Sequence, residues 1–305
     1  MATRPRSELL PAGSARGAGA ADVRLAEGSD RVALTHLDRI LWPEVGFTKR
    51  DLIDYYTAVA PWLLPHLRDR PITLARFPEG VDRKGWYQTN CRGAPGWMDV
   101  AEVHGRHGAT FRMCLVSDLD SLVWVANQGT LELHPLLATA AEPDRPVELV
   151  FDLDPGPGAG LIECCRVALA VREMLEREGL QGSPKTSGSL GVHVIVGLDG
   201  SWTFADTRAF ARDAAAQFTA AAPELVTDQI PMPARVGRVL IDWRQNEPMR
   251  SMVAPYSLRA TPWPLVSTPL AWAEVEAVAA GGADPRSLVF SPTDVLARLG
   301  EMTPP

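Results

Sequence analysis

Cysteine is scarce in this sequence, and none of it sits in a metal-binding spacing. Cys91, Cys114, Cys164 and Cys165 are the four present, and no pair forms the C-x-x-C of a zinc site. Cys164 and Cys165 are adjacent in a predicted helix, so they point to different sides of it. All four read as reduced thiols in a reducing compartment. Long apolar runs are missing too. The stretch ALAV at 168–171 is closed by Arg172 and Glu173, well short of a membrane span. At the N-terminus Arg4, Arg6, Ser7 and Glu8 break up any secretory signal. The expectation is a cytoplasmic protein. Excess positive charge is also lacking: the net charge is −7. That counts against a broad basic coat for nucleic acid, but leaves room for a local basic groove on an acidic body.

What is present fits a soluble globular chain. Of 305 residues, 46% are hydrophobic and 22% charged, enough to bury a core without staples. Residues 1–22, rich in Ala, Gly, Arg and Pro, read as a disordered tail. Residues 23–305 read as the folded domain, with no repeat or linker dividing it. Thr48 and Asp51 open a predicted helix as a loose capping box, and Pro61 and Pro65 are expected to bend or end it. Further helices are predicted over 161–178, with Gly179 as the stop, and over 207–222 behind Asp206. Two more are predicted from Thr268-Pro269 and after Ser291-Pro292. Strong strand signals lie at 147–154, 193–198 and 238–243. Weaker ones lie at 72–77, 100–104, 109–116 and 121–125. The alternation points to an α+β (mixed α/β) domain around a central sheet.

Asp152 and Asp154 stand two apart in VFDLD, so in a strand both face one side while Leu153 faces the other. The strand then stops at Pro155-Gly156-Pro157-Gly158. Two readings are open. A polar turn favours the same residues. Alternatively, two neighbouring carboxylates hold Mg²⁺ or Mn²⁺, which offsets their repulsion. Asp242 interrupts the apolar run Val239-Leu240-Ile241 and needs a partner, either a metal or an arginine such as Arg238 or Arg244. A third acid beside a D-x-D pair is what two-metal phosphoryl transfer requires. Between these segments runs Lys185-Thr-Ser-Gly-Ser-Leu-Gly-Val-His193. Gly188 and Gly191 let backbone amides approach an anion, Ser187 and Ser189 offer hydroxyls, and His193 opens the next strand. A glycine-containing hairpin with a structural histidine is the alternative. His104 and His107 form an H-x-x-H, but Gly105 and Gly108 make that segment a loop rather than a ligand pair.

D-L-D-P, S-G-S-x-G-x-H and I-D-W, in this order and spacing, resemble the archaeo-eukaryotic primase superfamily. More narrowly, they resemble the polymerase module of bacterial ATP-dependent ligase D. The resemblance runs from about Leu37 to Leu299. It takes in Arg39-Ile-Leu-Trp-Pro43, Thr48-Lys49, Arg76-Phe-Pro-Glu-Gly-Val-Asp82, Asp242-Trp-Arg-Gln-Asn246 and Ala254-Pro-Tyr-Ser-Leu-Arg259. It implies a primase-polymerase fold, a central mixed sheet flanked by helices. It implies Mn²⁺ or Mg²⁺ on Asp152, Asp154 and Asp242, and nucleoside triphosphate contacts from Ser187, Gly188, Ser189, His193 and Arg259. Arg39 and Lys49 match basic positions that hold a downstream 5′-phosphate. Trp86 and Tyr87 match an aromatic pair that packs on the DNA end, although strand alternation leaves only one ring free to stack. The implied activity is a nucleotidyltransferase extending DNA 3′ ends, often with ribonucleotides, in end joining or gap filling. Its partners would be DNA ends or gapped DNA, nucleoside triphosphates, Ku and a separate ligase at the nucleoid. No ligase lysine motif is present, so a stand-alone polymerase is expected. Three positions depart from the family pattern. Leu190 replaces a lysine of the serine–glycine loop, Thr89 stands where lysine is common, and Glu247 adds negative charge to a stretch that is small and basic in the family, where Arg250 can take over a lysine's task. The alternative is therefore a catalytically weak DNA-end or nucleotide-binding module.

Overall fold

The computed structural model describes residues 31–105 and 108–304. The predicted tail at 1–22 and His107 lie outside the described residues. The chain divides into two compact units. The N-terminal unit holds 31–136, 253–267 and 290–304 of the described residues; the central unit holds 137–252 and 268–289.

The N-terminal unit begins with a hairpin of β1 (Ile40–Trp42) and β2 (Phe47–Thr48), which feeds helix α1 (Lys49–Leu67). The capping box forms as the sequence predicts: Asp51 N–H donates to Thr48 Oγ1 at 3.3 Å, and Thr48 N–H to Asp51 Oδ2 at 2.7 Å. Pro61 and Pro65 do not end the helix, which runs through both. Each removes a single intrahelical N–H, and the buried stripe of Leu52, Ile53, Tyr56, Val59 and Leu63 outweighs that loss. Full burial of such a side chain contributes roughly 1.5–3 kcal/mol.

Strand β3 (Pro71–Arg76) then pairs antiparallel with β4 (Trp86–Gln88), β6 (Thr110–Leu115) and β7 (Thr130–Pro135), while β5 (Val100–His104) pairs with β6. The segment at 121–125, a strand candidate in the sequence, lies in helix α2 (Leu119–Asn127). Every residue from Ser121 to Asn127 is buried, so no 3.6-residue polarity stripe exists to betray the helix. Its start is set by Asp118, whose carboxylate accepts from Ser121 N–H at 2.8 Å.

The reading of all four cysteines as thiols holds for Cys164 and Cys165 and fails for the other two. Cys91 and Cys114 form a disulfide, with Cα atoms 5.0 Å apart. The bond is possible because Cys91 N–H donates to Arg112 O at 2.6 Å, laying the loop after β4 alongside β6.

The central unit is built on five strands: β8 (Glu148–Pro155), β9 (Gly182–Thr186), β10 (Val192–Gly197), β11 (Val226–Thr227) and β12 (Val239–Ile241). Their order is β11-β12-β8-β10-β9, with β11–β12 parallel and the other pairs antiparallel. The expected mixed α/β architecture is present. Helix α3 (Leu161–Arg177) packs along β8 and β10. Helix α4 (Phe204–Ala221) sets Phe210 edge-on against Phe151 of β8, with ring centroids 6.4 Å apart. Helix α4 starts three residues before the predicted boundary. Thr203 is the cap, and Asp206 is its third-position partner rather than the cap itself.

The chain returns to the N-terminal unit through hairpin β13 (Leu258–Ala260) and β14 (Pro264–Val266), to the central unit with α5 (Trp272–Ala279), and back with α6 (Pro292–Leu299). Thr268-Pro269 does not open α5. Thr268 O accepts from Thr186 N–H at 2.9 Å, and Pro269 bridges Lys185, so both extend the edge of β9 and the helix begins at Trp272. Ser291 caps α6 as predicted.

Candidate functional site

Strand β8 is the middle of the central sheet, and its two acids lie at its C-terminal end. Phe151 and Leu153 are fully buried on one face, which turns Asp152 and Asp154 to the other. In register, Asp152 pairs with His193 of β10, and His193 in turn with Lys185 of β9. His193 Nε2 lies 3.2 Å from Asp152 Oδ1. On the other side of β8, Leu153 pairs with Ile241, and Asp242 N–H donates to Asp152 O at 3.0 Å. Asp242 is thereby set across from Asp152. The three sequence-predicted acids and His193 thus meet at one strand end.

Their electrostatics are unfavourable as they stand. Burial raises the Asp154 carboxyl to about 6, and the Asp152 and Asp242 charges push it the same way against His193 and Arg235. Asp242 is raised as well, by burial and by Asp152, against the Arg244 amide and guanidinium. The raised carboxyls of Asp154 and Asp242 form with Asp152 a hard oxygen donor set, and a divalent cation fits such a set. Among the described residues, no group of three or more His, Cys, Asp or Glu side chains is gathered closely enough to hold a metal ion as it stands. The fit therefore rests on donor chemistry and mutual repulsion, not on a preformed cage.

The serine–glycine loop lies beside the acids. A Cβ at Gly191 would sit 2.8 Å from Leu153 O and 3.3 Å from Asp154 Oδ1, so only glycine allows this approach. Gly188 has φ +72°, the left-handed conformation that glycine adopts without strain. Ser187 Oγ accepts from Gly191 N–H at 3.1 Å and Ser189 N–H at 3.3 Å, and Gly188 N–H donates to Thr186 Oγ1 at 3.3 Å. The loop amides expected to face an anion therefore close on the loop's own hydroxyls through long bonds. Glu247, expected to burden the site with charge, lies within 4.0 Å of both Arg208 and Arg250.

Sequence reasoning missed Arg235. Its guanidinium lies 3.8 Å from Asp154 Oδ2. The Pro-Gly-Pro-Gly turn admits it: a Cβ at Gly156 would overlap Arg235 O, Gly156 N–H donates to Arg238 O at 2.8 Å, and Gly237 N–H to Pro157 O at 2.7 Å.

The remaining predicted site residues belong to the N-terminal unit. Arg39 donates to Pro78 O and pairs with Glu79. Lys49 is buried as the first residue of α1, its Nζ donating to Thr35 O and Oγ1; burial and the Arg39 charge lower it to about 8. Trp86 and Tyr87 are 45% and 66% exposed, so both rings are accessible and not just one. This follows from their place on a three-residue strand at the sheet edge. The Arg76 guanidinium sits over the Trp86 ring at 5.3 Å, and Tyr87 meets His134 edge-on at 5.6 Å. These rings line a groove of about 550 Å³ with Gln88, Asn90, Arg92 and Phe111.

Arg259 lies in the N-terminal unit and faces Glu132, its Nε 3.3 Å from Oε1. Glu132 also takes a 2.7 Å bond from His134 Nε2 and another from Ala260 N–H. Burial opposes ionisation of Glu132, but His134, Arg259 and the Ala260 amide outweigh it and hold the carboxyl at about 2. The sequence carried a signal for this pair: Glu132 and His134 stand at i and i+2 in the apolar strand TLELHP.

The profile of the LigD primase-polymerase domain family matches residues 48–302. A multifunctional non-homologous end joining DNA repair protein LigD of Mycobacterium tuberculosis is 37% identical over 278 residues, 88% of this chain and 36% of the relative. A bifunctional non-homologous end joining protein LigD of Bacillus subtilis is 30% identical over 247 residues, 81% of this chain and 40% of the relative. The chain thus spans little more than a third of these relatives' length. Among solved structures, the polymerase domain of Mycobacterium tuberculosis ligase D in complex with DNA superposes with a TM-score of 0.82 at 34% identity. That match covers 89% of this chain and 95% of the other. By the family match over most of its length and its identity to these relatives, the chain belongs to the LigD primase-polymerase domain family.

Proposed function

We propose that this chain is a Mn²⁺- or Mg²⁺-dependent nucleotidyltransferase that extends DNA 3′ ends with nucleotides, ribonucleotides included, at gaps and breaks. The observation that carries this reading is the convergence of Asp152, Asp154 and Asp242 beside Gly191 of the serine–glycine loop. Asp152, Asp154 and Asp242 would hold the metal. When bound, it supplies activation of the attacking 3′-hydroxyl and charge neutralisation on the triphosphate. His193 Nε2, 3.2 Å from Asp152 Oδ1, would complement the charge of that carboxylate. The amides of Ser189 and Gly191, now on Ser187 Oγ through long bonds, can turn to phosphate oxygens at small cost. The exposed Trp86 and Tyr87 rings of the other unit offer π-faces to the bases of a DNA end. Ku and a separate ligase are the partners this reading calls for.

Primer extension with Mn²⁺ and ribonucleotides on gapped DNA tests the proposal. Incorporation by the wild type and none by Asp152→Ala/Asp154→Ala supports it. Equal incorporation by both proteins overturns it. The weaker reading, a binding module without turnover, rests on Leu190 standing in the loop where a cation is usual. It predicts end binding without incorporation in the same assay.

A further inference from the structure

Strand β12 stops at Ile241, although its neighbour β8 continues back to Glu148. A strand that loses its partner leaves N–H and C=O groups unmet. At Val150 a side chain supplies them. Asn246 Nδ2 donates to Val150 O at 2.7 Å, and Val150 N–H donates to Asn246 Oδ1 at 2.9 Å. The carboxamide thus takes the place of the next peptide group of a continuing strand. Asn246 is fully buried, so water does not compete for either bond. Trp243–Asn246 wind into a 3-10 turn capped by Asp242: the amide of its second residue, Arg244, donates to Oδ1 at 3.1 Å.

This clip fixes where the turn's other side chains fall. Gln245 Nε2 donates to Asp152 Oδ2 at 3.1 Å. With His193 Nε2 3.2 Å from Oδ1, each oxygen of the central acid faces a side chain, and Gln245 supplies the hydrogen bond on Oδ2. We infer that Gln245 and Asn246 are positioning residues, Asn246 setting the place of Asp242 against Asp152 and Gln245 the rotamer of Asp152. The inference rests on the proposed metal site. Neither residue touches the reacting atoms; both act through the carboxylates. Partners of this kind around a metal ligand typically contribute ten- to a hundredfold to affinity or activity (roughly, as a general range).

Mn²⁺ titration of the purified protein, followed by electron paramagnetic resonance of the free ion, provides the test. Gln245→Ala is expected to weaken Mn²⁺ binding about tenfold with an unchanged melting temperature. Gln245→Met keeps the chain length and lacks the amide, and is expected to lose as much. Asn246→Ala is expected to weaken binding and lower the melting temperature together. Should Asn246→Ala not fold, the two Gln245 variants decide alone. Wild-type binding with no change in either Gln245 variant overturns the inference and leaves the metal reading standing. No Mn²⁺ binding by the wild type overturns both.

Discussion

Two acid clusters, one in each unit, are driven in opposite directions. In the central unit Asp154 is raised to about 6, because burial and the neighbouring Asp152 and Asp242 oppose its charge. In the N-terminal unit Glu132 is held at about 2, because His134, Arg259 and the Ala260 amide overcome its burial. In the second cluster the carboxylate's charge is compensated by its own neighbours. The first is frustrated, and a frustrated acid cluster at a sheet end is where an external cation has something to gain. Lys49 is also met by its own neighbours: its ammonium is spent on Thr35. The matching basic position would have to break those bonds before it could reach a phosphate.

The largest expected effect tests the frustrated cluster. Asp242→Ala should lower primer extension on the order of a thousandfold, the several kcal/mol that bound ions supply to charge stabilisation. It should leave DNA-end affinity within twofold, as read by fluorescence anisotropy. An unchanged rate would remove Asp242 from the site.

The disulfide separates the units next. Reduction of Cys91–Cys114, which closes a 23-residue separation, should destabilise the N-terminal unit by about 2–4 kcal/mol. Calorimetry with and without a dithiol reads this, and Mn²⁺ affinity of the central unit should not move. The groove offers a third contrast. Trp86→Ala should weaken DNA-end binding by about 1–3 kcal/mol, the worth of one stacked base, and leave Mn²⁺ binding intact. Equal binding by Trp86→Ala would make the exposed ring an incidental feature of the edge strand.

The smallest effect carries opposite signs in the two units. Asp154 is raised on folding, so its contribution is favourable below pH 3.8 and is lost as pH rises through about 6. Asp154→Asn should therefore stabilise the metal-free protein above pH 6, by about 1 kcal/mol once solvent screening of its half-exposed carboxylate is allowed for. Glu132 is lowered on folding, so its contribution is present above pH 4.5 and is lost as pH falls toward 2. Glu132→Gln should destabilise at neutral pH and differ little from wild type near pH 2. Thermal melts across pH 2–8 check both. Matching pH trends for the two variants would erase the contrast.

Much of this was legible in the sequence, and the exceptions have physical reasons. Asp152 and Asp154 could be read because the two-residue period of a strand is a local rule, and the Thr48 box because it spans three residues. Helix α2 was not legible, since burial on every side removes the stripe that marks a helix. The disulfide, the Arg235 approach to Asp154 and the Asn246 clip join residues far apart in the chain. Nothing at one end of such a contact announces the other. Glu132 and His134 follow the same i, i+2 logic as the aspartates and were overlooked only because a glutamate–histidine pair does not look like a metal site.

On the proposed function, a cation bound at the acid end of the sheet would offset the repulsion among Asp152, Asp154 and Asp242. Calorimetric Mn²⁺ titration at pH 5.5 and pH 7.5 tests this most directly. The account predicts tighter binding at pH 7.5, proton release at pH 5.5 as Asp154 gives up its proton, and loss of both in Asp152→Ala/Asp154→Ala. Mn²⁺ binding that is indifferent to pH and survives that double substitution would contradict it.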